Sequence, residues 1–87
     1  MQHIICGKLL GWGEEKEYIP FDSSVYTKEE AMEQFVPYKA FNEGGYQYTG
    51  YEYQGKKYYR FSYLGLFEDD KVPHNEEEYW KYKLRNY

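Results

Sequence analysis

"GYQYTGYEYQGKKYYRFSYLG", residues 45–65, carries eight aromatic side chains in twenty-one positions, seven of them tyrosine. With Gln54 and Gly55 as a turn it reads as a β-hairpin over 46–63. Tyr53 then faces Lys56, Glu52 faces Lys57, Tyr51 faces Tyr58, and Tyr48 faces Phe61. The opposite charges of Glu52 and Lys57 support this register, as does Tyr59 lying opposite Gly50, where a ring can cover the bare backbone. A slip of one residue would exchange the two faces, so the register is decisive.

Strict alternation places Tyr46, Tyr48, Tyr59, Phe61 and Tyr63 on one face. Buried aromatics contribute roughly 1.5–3 kcal/mol each, enough to floor a small core. The other face receives Gln47, Thr49, Tyr51, Tyr53, Lys56, Tyr58, Arg60 and Ser62. That mixture is polar for a core and aromatic for an idle surface. It is expected to be an outer, partner-binding face unless another segment covers it.

Outward from the hairpin, "HIICGKLLGW" (3–12) predicts an interior strand with apolar residues on both faces: Ile4, Cys6, Leu10 and Trp12 on one, Ile5 and Leu9 on the other. Gly7 marks a candidate bulge. "GEEKE" (13–17) reads as a polar turn. "EYIPF" (17–21) reads as a second strand, confined to an edge by Pro20. "YTKEEAMEQFV" (26–36) predicts a helix, with Thr27 and Glu30 forming a capping box and Ala31, Met32, Phe35 and Val36 as its apolar stripe. Pro37 should end it near Val36. "NEGG" (42–45) reads as a loop. The tail from Asn75 favours a helix, with a cap at Asn75, acids in the first turn and Lys83 and Arg85 in the last, which would put Trp80, Leu84 and Tyr87 on one face. The competing strand reading alternates Trp80, Tyr82 and Leu84 with cations.

Eighty-seven residues make one domain, 1–87, with one modest core. The expected fold is α+β: an antiparallel sheet of three or four strands, one short helix packed on one face, and the C-terminal helix. A 23% aromatic content is incompatible with disorder. One cysteine, Cys6, excludes an internal disulfide. With no signal peptide and no apolar run long enough to span a bilayer, a cytoplasmic location is expected. The net charge is −4, yet residues 46–67 carry one acid against three bases. A basic aromatic segment sits within an acidic chain, whose overall field repels polyanions.

Catalytic and metal chemistry find little support. His3 and Cys6 fall on opposite faces of a strand, and three or four converging zinc ligands are lacking. "EDD" (68–70) lacks the spacing of a calcium loop. The serines have no histidine with an orienting partner, and "GKL" is not a phosphate loop. No enzyme, metal or cofactor is expected.

Tyrosine with Arg, Thr and Gln is the palette of adaptable protein interfaces. The expected function is therefore a non-enzymatic protein-binding module using Tyr51, Tyr53, Lys56, Tyr58 and Arg60, its partner being another protein, a second copy of the chain included. In general character the chain looks like the small binding proteins of phages and mobile elements, some of which inhibit host defence proteins, although no motif carries that likeness. The alternative is a single-stranded nucleic-acid-binding protein using the same face as a stacking platform. The acidic remainder of the chain disfavours it.

Overall fold

The computed structural model describes the backbone of residues 1–10, 15–43 and 46–85, and the side chains of 1–10, 15–37 and 50–83. Five strands and two helices follow in order: β1 (Gln2–Leu9), β2 (Lys16–Asp22), α1 (Lys28–Glu33), β3 (Val36–Glu43), β4 (Tyr46–Tyr53), β5 (Lys56–Phe67) and α2 (Glu76–Arg85). The strands form one antiparallel sheet in the order β2-β1-β5-β4-β3. No helix among the described residues is long and apolar enough to cross a membrane.

The hairpin has its turn where the sequence puts it. Gln54 (φ 49°) and Gly55 (φ 78°) both adopt positive φ, as in the two-residue turns whose twist matches paired strands. Tyr53↔Lys56, Glu52↔Lys57 and Tyr51↔Tyr58 are paired in the expected register. Beyond the tip, the alternation changes. Lys8 pairs with Arg60 but Leu9 with Tyr58, so Tyr59 is an extra residue, a β-bulge against β1. Tyr58 and Phe61 thereby come to one face, and Arg60 and Ser62 to the other. A second shift, between Ile4 and Ile5, skips Leu64.

The α+β class holds, with five strands instead of three or four. The addition is β3, which pairs along β4. Thr27 and Glu30 form the capping box, and the helix runs from Lys28 only to Glu33, with Gln34 as its C-cap. Phe35 then turns into the core. Pro37 disfavours helical geometry at Val36, and the chain continues as a strand. Asn42 and Glu43, expected in a loop, belong to β3. Both sheet edges, β2 and β3, contain a proline, Pro20 and Pro37, at positions where a missing N–H leaves the inner ladder intact.

The core lies between the sheet and α1. Ile5, Phe21, Ala31, Phe35 and Tyr58 are buried, with Leu9, Ile19, Tyr26, Met32, Tyr51, Tyr53, Phe61 and Tyr63 packed against them. Phe35 is the hub: its ring stacks on Phe61 (4.7 Å) and Tyr53 (4.9 Å) and meets Tyr58 edge-on at 5.4 Å. The ring of Tyr58 also lies over Gly7, where a Cβ would come within 2.7 Å of Cδ1. A tyrosine does cover a glycine, but the pair is Tyr58 and Gly7. The expected Tyr59 is exposed, and Gly7 serves as a platform with the bulge lying beside it.

His3 is buried on the same face, its Nε2 2.9 Å from the Tyr26 carbonyl and its Nδ1 2.9 Å from the Tyr63 hydroxyl. A carbonyl can only accept, so Nε2 carries the proton and the Tyr63 hydroxyl donates to Nδ1.

The tail is helical. The Glu78 amide donates to Asn75 Oδ1 at 2.8 Å, while the Glu78 carboxylate accepts from the His74 amide at 3.3 Å. Tyr79, one residue away from the expected face, approaches Tyr18 (6.2 Å) and Phe67 (6.0 Å). Trp80 remains 51% exposed. The expectations for Trp12 and Tyr87, and for the side chains of Tyr46, Gln47, Tyr48, Thr49 and Leu84, lie outside the described residues.

Candidate functional site

The expected outer face is divided by the bulge. Tyr58 is fully buried in the core, and Tyr51 and Tyr53 are half-buried against it. Tyr51 meets Phe61 edge-on at 4.8 Å, and Tyr53 contacts Phe21 at 5.5 Å. Lys56 lies beside them and donates to Glu17 Oε1 at 2.7 Å, while the Tyr58 hydroxyl donates to Glu17 Oε2 at 2.9 Å. Lys56, with Tyr58, thus ties the hairpin tip to β2. Arg60 points to the opposite side of the sheet. The five residues do not form one surface, because the extra residue at Tyr59 reverses the alternation between Tyr58 and Arg60.

Arg60 instead joins a surface on the α2 side. Lys8 pairs across the ladder with Lys16 on β2 and with Arg60 on β5, so three cations lie side by side on three neighbouring strands. Two positions along β1, Cys6 pairs with Tyr18 and Ser62. Helix α2 closes one side with Glu76, Tyr79 and Trp80, and Leu64 completes the lining of a cavity of about 210 Å³. Trp80 stands edge-on to Tyr79 at 5.3 Å, and Lys83 Nζ lies 5.3 Å from the Trp80 ring centroid. Lys8 Nζ lies 6.0 Å from the Tyr59 ring centroid.

The titratable groups in this groove divide cleanly. Burial pushes the Cys6 thiol up, outweighing Lys16 and the Tyr18 hydrogen bond, so it is protonated at neutral pH and a poor nucleophile. Burial, together with Cys6 and Glu76, pushes the Tyr18 phenol up to about 12. The charges lining the cavity are therefore Lys8, Lys16 and Arg60 against Glu76. Like charges directly opposed across a ladder destabilise a sheet. Here they create a positive strip bordered by aromatic rings, in a chain of net charge −4.

Among the described residues no group of three or more His, Cys, Asp or Glu side chains converges as a metal site. His3 and Cys6 are on opposite faces of β1. Of the acidic loop 68–70, Asp69 accepts from Gln2 Nε2 at 2.9 Å and Glu68 pairs with Lys71 at 3.2 Å.

Sequence reasoning found Arg60 but missed Lys8, Lys16, Tyr18, Tyr79 and Trp80 as its neighbours. The available signal was Lys8 itself, a charge interrupting the apolar run of an interior strand. Its two basic neighbours are eight and fifty-two residues away, so only strand pairing assembles the row.

No known protein family, curated protein or solved structure matches the chain.

Proposed function

We propose that the protein is a non-enzymatic protein-binding module that works through the α2 face of its sheet. The observation that carries this reading is the row Lys16–Lys8–Arg60 beside Tyr18, Tyr79 and the exposed Trp80. Aromatic residues and Arg are enriched in the energetically dominant parts of interfaces. Strands hold the cations and a capped helix holds the rings, so little side-chain order need be gained on association. Inhibition by occupancy is an activity open to such a module. A host defence protein blocked by a phage or mobile-element product is one setting for it.

The same row of cations beside aromatic rings supports a second reading, single-stranded nucleic acid. Three phosphate contacts would give a salt slope of about −2, at ~0.7 per neutralised charge, and the net negative chain opposes even these. Protein is the better fit.

The test is affinity capture from the native host followed by titration of the purified partner. Trp80→Ala and Arg60→Glu should each weaken that partner at least tenfold while leaving the circular dichroism unchanged. Wild-type affinity in both variants would refute the α2 face as the binding surface.

A further inference from the structure

Building on the reading of the α2 face as a protein-binding surface, we propose that its partner presents an acidic segment. That segment crosses β2, β1 and β5 with its carboxylates against Lys16, Lys8 and Arg60, and places an apolar side chain in the cavity beside Trp80 and Leu64. Strand spacing sets the geometry. Three neighbouring strands span about 10 Å, which about three residues of extended chain cover. A short run of Asp and Glu therefore reaches all three cations. The Arg60 guanidinium can hold one carboxylate through two parallel hydrogen bonds.

Two features select this occupant. The like charges of Lys16, Lys8 and Arg60 repel one another when no anion is bound, so a bound carboxylate relieves an existing cost as well as forming contacts. The cavity also offers the Leu64 side chain and the rings of Tyr79 and Trp80 next to the cations. An acidic segment bearing one apolar residue matches both halves. A polyphosphate strand matches only the charge, and it must extend past Glu76 and an acidic chain. Glu76 sits within the groove and limits the number of carboxylates it accepts.

The probe is a fluorescently labelled peptide of about ten residues, Glu and Asp throughout except for a central leucine, titrated by anisotropy at about 50 mM salt. Micromolar binding is expected. Arg60→Glu and Lys8→Glu should each weaken it at least tenfold. About 500 mM salt should do the same, because the Debye length then falls well below 10 Å. Lys28→Glu makes the same change in net charge on the α1 side and should stay within about twofold of wild type. Trp80→Ala should weaken the leucine peptide and leave its all-acidic counterpart unchanged.

No peptide binding at low salt overturns the proposal, as does tighter binding of a mixed single-stranded oligonucleotide that Arg60→Glu abolishes. A dimer seen by sedimentation and lost in Arg60→Glu overturns it in favour of a second copy. A purified partner that responds to Trp80→Ala but not to salt overturns the acidic segment alone and leaves the protein-binding surface standing. A partner indifferent to both Trp80→Ala and Arg60→Glu removes the surface itself.

Discussion

Tyr58 joins the two halves of the sheet. Its ring fills the space over Gly7 and against Phe35, and its hydroxyl donates to Glu17 Oε2. Tyr58→Phe keeps the ring and removes only the hydrogen bond, so it should cost about 1–2 kcal/mol in urea unfolding, Glu17 being partly exposed to water. Tyr58→Ala opens a cavity and should cost about 3–5 kcal/mol. A near-neutral Tyr58→Ala would show that the ring is not core. Hydrogen bonding from Lys56 holds the Glu17 carboxyl below its ordinary value, helped by Tyr58 and opposed by burial. A depressed native pKa contributes stability that is fully present above the unfolded value, near 4.5. That contribution is lost as pH falls through the lower native value. Glu17→Gln should therefore flatten the decline of Tm below about pH 4.5. Asp22 and Asp69, also lowered, keep a residual slope in the same direction. Parallel acid profiles for wild type and variant would exclude Glu17 as a contributor.

At the scale of elements, β1 and β5 depend on each other through a glycine and a bulge. Gly7 lets the Tyr58 ring approach the backbone, and the bulge at Tyr59 allows Tyr58 and Phe61 to share the core face. A methyl at position 7 would lie 2.7 Å from Cδ1 and 2.8 Å from Cε1 of a buried ring, which cannot swing aside as a flexible side chain would. Gly7→Ala should accordingly destabilise the fold by about 1–3 kcal/mol in denaturant unfolding, despite the better strand propensity of alanine. A stabilised Gly7→Ala would mean that β1 and β5 separate easily. The capping box at Thr27 matters less for the length of α1 than for where the helix releases Phe35. Six residues are too few for a helix to be stable alone. Its anchor is the packing of Ala31 and Phe35 on the sheet.

For the whole molecule, the two sheet faces have different characters. The α1 face collects the aromatic rings into a core and uses hydroxyls at its margin: Tyr58 on Glu17, and Tyr63 on His3. That arrangement explains how so many tyrosines serve a fold, since an amphipathic ring can be buried while its polar tip finds a partner. The α2 face is only partly covered, and Lys8, Lys16 and Arg60 share it with Tyr18 and Trp80. Placing cations in line on paired strands is unfavourable for folding alone. This is why the proposed function belongs to that side.

Short-range physics made much of this architecture legible. Gln54-Gly55 favours a two-residue turn through its positive φ, Pro20 restricts β2 to an edge, and Thr27 with Glu30 starts α1. Asn75 with Glu78 similarly starts α2. Each signal acts within about four residues and survives any tertiary context. The signals that failed act over distance. Val36–Glu43 was passed over because a strand at an edge is recognised by the partner it pairs with, here β4. The division of Tyr51, Tyr53, Lys56 and Tyr58 from Arg60 follows from one extra residue opposite Lys8 and Leu9, which local alternation cannot reveal. Composition and spacing determined that the chain forms an α+β fold around an aromatic hairpin. Only the tertiary structure decided which hairpin face became core, because a bulge exists in relation to a neighbouring strand. The same pairing brought Lys8, Lys16 and Arg60 together from distant parts of the chain.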